Sequence, residues 1–361
     1  MIPIAKPLIG EEEINAVAEV LRSGNIAEGE RVKRFEAAFA EFTGTSHAVA
    51  VNSGTAALHV ALLAHDIGQG DEVITTPFSF VATSNSVLFT GARPVFADIK
   101  ENTFNIDPGS IVERINSRTK AIIPVHLYGQ AADMKSILEI AEDHDLIIIE
   151  DACQAHGAAF EGKKVGSFGT GTFSFYPTKN MTTGEGGMIT TDDKKVAERA
   201  GMIRSHGSRK RYYHEILGYN LRMTDMAAAL GLVQLKRLDG FNEARINNAE
   251  YLTDRLNKIK GIRVPYIEKR CRHVFHQYTV RIENDIPRDD VASILNSKGV
   301  GTGIYYPVPI HRQPLYKDMG YRDSLHVSEK AAQEVLSLPV HPAMSKEDLN
   351  TVCITLHEIL C

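Results

Sequence analysis

Leu146-Ile147-Ile148-Ile149-Glu150-Asp151 is the stretch on which the fold turns. Leu146–Ile149 is an unbroken run of aliphatic residues, it has the length of a strand, and it shows no polar alternation. A strand apolar on both faces is covered on both sides, which is the condition of a parallel strand in an α/β sheet. Ala121–Val125 repeats the pattern upstream, and the helical periodicity of Met134–Asp143 joins the two as a crossover. Further out, strand-like runs at His47–Val51, Glu72–Thr75 and Pro94–Asp98 alternate with helical patterns at Thr55–Leu63 and Ser79–Phe89. Two more helices, Glu12–Leu21 and Val32–Phe42, precede them. The expectation is a three-layer α/β domain on a mostly parallel sheet.

Downstream the pattern changes. Amphipathic stretches at Asp225–Arg237 and Asn242–Lys260 lead into mixed material: a strand at Gln277–Ile282 and helices at Asp289–Ser297, Glu329–Ser337 and Lys346–Ile359. The chain is therefore divided into a large domain, 1–240, and a smaller C-terminal α+β domain, 241–361. No repeat or flexible linker separates them.

Composition narrows the function class. The 361 residues are 43% hydrophobic and 24% charged, with a net charge of 40 − 45 = −5. That describes an ordinary globular protein without the basic excess of a nucleic-acid or anionic-membrane binder. The N-terminus has no signal-peptide pattern, and no stretch approaches the roughly 20 apolar residues of a membrane span. Four scattered cysteines form no CxxC pair. A cytoplasmic enzyme is expected.

Ligands of parallel sheets bind beyond the carboxyl ends of strands. Three such loops are unusual. Asn52-Ser53-Gly54-Thr55-Ala56-Ala57 offers a close backbone approach and a helix start, either a phosphate cradle or an ordinary N-cap. It is not a Walker loop. Glu150 and Asp151 point to opposite faces, so they are not an acid/base pair; one of them meets a positive ligand atom or leaves for solvent. Lys179, after Phe173-Ser174-Phe175-Tyr176-Pro177 and before Gly184-Glu185-Gly186-Gly187, is either a Schiff-base amine activated by burial or a surface lysine. Taken together, the loops supply what pyridoxal 5′-phosphate (PLP) requires: a phosphate anchor, a carboxylate for the ring nitrogen and an amine for the aldehyde.

With these residues on view, the sequence resembles the DegT/StrS family of sugar aminotransferases, fold-type I PLP enzymes of the aspartate-aminotransferase type. The likeness runs from Gly24-Asn25-Ile26 through Asn52–Leu58, Pro77–Thr83, Glu150-Asp151-Ala152, Lys179, Gly184–Gly187 and Gly218–Met223 to Tyr305-Tyr306-Pro307 and Pro309-Ile310-His311. The resemblance implies roles. Lys179 bonds the cofactor and shuttles the proton. Asp151 pairs with the pyridinium nitrogen and Gln154 with the ring oxygen. Phe80 stacks on the ring, while Gly54, Thr55 and Ser174 hold the phosphate. Asn220 reaches the phosphate of the neighbouring subunit, which implies a homodimer with shared sites.

The implied reaction is ping-pong, with L-glutamate the usual donor and a nucleotide-linked keto-sugar the acceptor. Dehydratase relatives carry histidine where Lys179 stands, so the lysine argues for transamination. Thr183-Gly184-Glu185-Gly186-Gly187 is closer to relatives acting on 4-keto sugars than to the Gly-Asp-Gly-Gly of many 3-keto enzymes. His206, Arg222, Tyr306 and His311 are candidates to face the sugar, and His156 is a further possibility. The basic run Arg209-Lys210-Arg211-Tyr212-Tyr213 is read as a loop over an anionic diphosphate, or as a solvated loop. His273 and His276 lack a completing ligand, so no metal is expected. Two alternatives stand beside this: an aminotransferase for a cyclitol or other non-nucleotide ketone, and a non-catalytic regulatory homologue.

Overall fold

The computed structural model describes residues 1–283 and 285–361. A seven-stranded sheet is built from β1 (His47–Val51), β2 (Glu72–Thr75), β3 (Arg93–Phe96), β4 (Thr119–Ile123), β5 (Ile147–Asp151), β6 (Thr170–Ser174) and β7 (Gly187–Thr191), in the order β1-β7-β6-β5-β4-β2-β3. From β6 to β3 every neighbour is parallel. β7, which the sequence pattern does not single out, runs antiparallel between β1 and β6.

The strands feed two cores by alternation. Ala50, Ile74, Ile122, Ile148, Phe173 and Met188 join one cluster with Val32, Phe35, Phe39, Ile137 and Leu238. Val49, Val51, Val73, Ala121, Ile123, Ile149 and Ile189 join the other with Leu58, Leu62, Val196 and Ile203. Neighbouring residues of a strand thus point to opposite faces, each roofed by helices. On one face lie α1 (Glu11–Ser23) and α2 (Glu30–Thr43), both packed on a later long helix. On the other lies α3 (Gly54–Ala64), capped by the Ser53 side chain, which accepts from Ala56 N–H.

Several expectations are corrected. Asp225–Arg237 and Asn242–Lys260 are one helix, α4 (Asp225–Leu256), so the boundary drawn between 240 and 241 falls inside it. Asp239-Gly240 reads as a break, yet the helix continues because Asn242 and Arg245 find buried partners at its inner face. The helix expected over Glu329–Ser337 ends at Glu334, and Val335–Leu338 pairs antiparallel with Tyr278–Arg281. A short apolar run fits helix or strand equally, and pairing decides. The helix expected from Ser79 begins at Ala82, leaving Phe80 in the preceding turn.

The C-terminal unit is a three-stranded antiparallel sheet, Ile262–Arg263, Tyr278–Ile282 and Val335–Leu338, under Arg288–Ser297, Lys346–Leu360 and the last turns of α4. Its limits interleave with the large sheet: Ile2 N–H donates to Gly299, and Tyr305, Tyr306, Ala331 and Ala332 pack on Phe78, Phe104 and Val125. Among the described residues no helix is long and apolar enough to cross a membrane.

Candidate active site

The carboxyl ends of β1, β5 and β6 converge. The start of α3 presents the N–H groups of Gly54 and Thr55, which have no partner inside the helix. A Cβ on Gly54 would lie 2.6 Å from Ser174 Cβ and 3.2 Å from Cys153 Sγ, so this turn closes on both other loops only as glycine.

β5 ends in two carboxylates with opposite fates. Glu150 is fully buried and accepts N–H bonds from Gly166 (2.7 Å), Phe168 (2.7 Å) and Gly169 (3.0 Å). His126 Nε2 lies 3.0 Å away; its Nδ1 accepts from Ala132 N–H, so Nε2 carries the hydrogen and donates to Glu150. Glu150 is therefore saturated by structure. Asp151, 5% exposed, accepts from Thr83 Oγ1 at 2.8 Å and from Cys153 N–H at 3.2 Å. Among the described residues no basic side chain forms an ion pair with it. A buried carboxylate left in that state fits an incoming cation such as a pyridinium N–H.

After β6, Lys179 sits half-buried in a loop closed by Lys179 N–H to Tyr176 O, Thr182 Oγ1 to Phe175 O and Thr183 N–H to Phe175 O. Burial pulls its amine below the usual lysine range, with the carboxylate of Asp151 opposing that pull. Burial and Asp151 hold the Cys153 thiol well up, so it stays protonated. His156 lies beneath, against Phe173 and Phe175, driven down to about 3 by burial and by Lys179.

Gln154 is fixed from both sides: its Oε1 accepts from Tyr128 N–H at 3.1 Å and its Nε2 donates to Tyr306 Oη at 3.1 Å. Tyr306, raised by burial and Asp151, lies 6.3 Å from the Phe80 ring between centroids. Phe80 is 57% exposed, a free aromatic face at the rim.

The structure thus brings Gly54, Thr55, Phe80, Asp151, Gln154, Ser174, Lys179 and Tyr306 to one end of the sheet. The side chains of the other candidates are engaged elsewhere or open to solvent. His311 is buried, with Nε2 3.0 Å from Glu329 and its ring beside Phe96. Arg222 faces Glu28 at 3.7 Å, while Asn220 and His206 are exposed. The run 209–213 forms the tip of a small hairpin, with Arg211 and Lys210 over Tyr212 and Tyr213. His273 stacks on Phe275 and His276 reaches Asn180; among the described residues no cluster suited to a metal exists. Sequence reasoning gave no role to Thr83 or Tyr128. The Thr83 hydroxyl is invisible as a partner until the turn before its helix is placed, and Tyr128 acts through its backbone.

A cradle that a Cβ would fill, an uncompensated buried carboxylate and a depressed amine fit PLP, with Gly54, Thr55 and Ser174 for the phosphate, Asp151 for the ring nitrogen and Lys179 for the aldehyde. The DegT/DnrJ/EryC1/StrS aminotransferase family model matches residues 7–357. The "pleiotropic regulatory protein" of Geobacillus stearothermophilus is 45% identical over 93% of this chain and 91% of its own. GDP-perosamine synthase of Caulobacter vibrioides is 41% identical over 99% and 98%. The crystal structure of S. venezuelae DesV in complex with a ketimine intermediate superposes with a TM-score of 0.94 at 40% identity, covering 97% of this chain and 94% of that one. The chain belongs to the DegT/DnrJ/EryC1/StrS aminotransferase family and is a PLP-dependent aminotransferase of the three-layer α/β type.

Proposed function

We propose that this enzyme moves an amino group from L-glutamate to a keto-sugar carried on a nucleotide, in two half-reactions, with the donor leaving as its 2-oxo acid before the acceptor binds. The observation that carries the reading is the pairing of a depressed Lys179 amine with a buried, cation-free Asp151 beside the Gly54–Ser174 cradle. GDP-perosamine synthase, 41% identical, supports the nucleotide-sugar class.

PLP, when bound, supplies an electron sink that makes the hydrogen on the amino-bearing carbon acidic. Asp151 keeps a proton on the ring nitrogen. Thr83 and the Cys153 N–H hold that carboxylate in one orientation, so little reorganisation is left for the reaction. Lys179 Nζ takes the proton from the amino-bearing carbon and returns it; an amine below the usual lysine range is neutral often enough to act as that base. Gln154, locked between Tyr128 and Tyr306, offers its amide to the ring oxygen, and Phe80 covers the open ring face.

We assign Asn220, Arg222 and His206 to the neighbouring protomer's site, in a homodimer, since Asn220 and His206 are open to solvent and Arg222 is turned to Glu28. The hairpin at 208–214 then brings Arg209, Lys210 and Arg211 toward the acceptor's diphosphate. Glu185 in Thr183–Gly187 inclines the acceptor to the 4-keto class.

A visible spectrum before and after L-glutamate is the test. The wild type is expected to be yellow with PLP and to lose that band on adding L-glutamate, while Lys179→Ala never shows it. Protein that takes up no PLP would turn the reading toward a regulatory role, which the name of the Geobacillus relative favours and the intact Lys179 and Asp151 oppose. Panels of 3-keto and 4-keto sugars on several nucleoside diphosphates, with a free cyclitol ketone beside them, fix the acceptor.

A further inference from the structure

Directly after Lys179 the chain buries an amide. Asn180 Nδ2 donates to Asn242 Oδ1 at 2.8 Å and to the Val274 carbonyl at 3.1 Å. Both of its hydrogens are thereby committed, so Asn180 Oδ1 is an acceptor, and the group within reach is His276 Nδ1 at 3.3 Å. The His276 ring therefore carries its hydrogen on Nδ1. Asn242 passes the chain on to the His156 carbonyl at 2.9 Å. The lysine loop, α4 and the segment entering the C-terminal sheet are tied together one residue from the amine.

That segment is held in an unfavourable conformation. Phe275 has φ of +44° and Tyr128, with which the segment pairs, has φ of +58°. Gln277 N–H donates to Tyr128 O at 3.2 Å and Val274 N–H to Gly129 O at 2.9 Å. A Cβ on Gly129 would stand 2.8 Å from His276 N, so the approach requires glycine there. From α4, the buried Arg245 donates through Nη1 to the carbonyls of Phe275 and His276, at 3.3 and 3.4 Å. Backbone of this kind persists only where its surroundings over-determine it, and it concentrates at functional sites.

We propose that Asn180 and His276 are a positioning pair for Lys179, through which the C-terminal unit fixes the reacting amine in its loop. The inference rests on Lys179 being that amine. The charged and titratable groups facing His276 are Lys179, Arg245 and His156, and burial together with the Lys179 and Arg245 cations keeps the ring neutral. A neutral ring and a neutral amide hold the loop without placing a counter-charge beneath the lysine. Asp151, on the other side, is left as the charged group that favours its protonation.

The test is the pH dependence of Lys179 acetylation in the full-length protein stripped of PLP, followed by mass spectrometry of the peptide, with a thermal melt to verify folding. His276→Leu and Asn180→Ala are expected to raise the midpoint by about one pH unit, a tenfold larger protonated share, because a loosened loop admits water. His276→Asn, whose amide N–H takes the place of Nδ1, keeps the wild-type midpoint. Should His276→Leu not fold, Asn180→Ala probes the same contact from the loop side. Midpoints that stay at the wild-type value in the Leu and Ala variants, or a His276→Asn midpoint that moves with them, overturn the proposal. Because labelling needs no cofactor, failure to bind PLP would sink the aminotransfer reading and leave this result standing.

Discussion

Two regions carry the candidate residues, and they are built differently. The strand-end loops around Gly54, Asp151 and Lys179 are packed against one another, with hydrogen bonds of 2.8 to 3.2 Å fixing Asp151 and Gln154. The stretch 206–222 is mostly exposed, its tyrosines 77% and 63% open at Tyr212 and Tyr213 and Leu217 81% open. It is nonetheless anchored. Asn52 N–H donates to Leu221 O, and Arg204 joins Glu28 and Glu36 beneath it. A region that is held firmly and yet leaves aromatic and basic side chains uncovered is shaped for something outside its own chain. In the proposed homodimer, one protomer would complete the cofactor end of a site and present parts of another.

The comparison breaks most sharply at Lys179. Lys179→Ala is expected to lower turnover on the order of 10⁴-fold, since it removes both the covalent anchor and the proton carrier. Release of the 2-oxo acid from L-glutamate, compared between the two proteins, measures it. An Ala variant that keeps even a tenth of wild-type turnover would remove the lysine from the chemistry. Asp151→Asn comes next. The amide presents no charge to the ring nitrogen, and a loss of about 10² to 10³-fold in kcat is expected with PLP still bound.

Glu150 sharpens the contrast from one residue away. Glu150→Gln would aim an NH₂ group at N–H donors that now find a carboxylate: Gly166, Phe168 and Gly169. A loss of about 2 to 3 kcal/mol of stability is expected, read by denaturant unfolding, with kcat nearly unchanged below the transition. A large fall in kcat at full stability would show that the two neighbouring carboxylates do not divide structure and chemistry as their hydrogen bonds indicate.

The same contrast explains what was legible. Strands β1 and β2 and the helix Met134–Asp143 were readable to the residue, because each is bounded by turn residues and has a single period. The opposite facing of Glu150 and Asp151 followed from strand geometry alone. β7 was hidden because Gly187–Thr191 reads as the tail of a glycine loop, and its direction is set by pairing with β1 and β6. The continuity of α4 through Gly240 was hidden because its buried polar residues are satisfied by Asn180, His156 and Phe275, which are distant in sequence. His311 misled for the same reason: its motif is local, but Glu329, the residue that holds it, is not. Of the candidate site, the positions of the residues at their own strand ends were readable. The groups that hold them, Thr83, Tyr128 and His126, were not, since each acts across the sheet.

The smallest effect tests the exposed region. Asn220→Ala alone is expected to weaken PLP binding by about tenfold, the loss of one or two hydrogen bonds to a charged group. Mixing makes the test decisive. If Asn220 serves the other protomer, a mixed dimer of Lys179→Ala and Asn220→Ala chains has one site with both defects and one with neither. Such a mixture recovers up to half of the wild-type activity per heterodimer. If Asn220 serves its own chain, every site keeps one defect and the Lys179→Ala half stays dead, so activity never exceeds that of the Asn220→Ala sites. Titrating one variant into the other at fixed total protein separates the two curves, and a curve that never rises would return Asn220 to the surface of its own protomer.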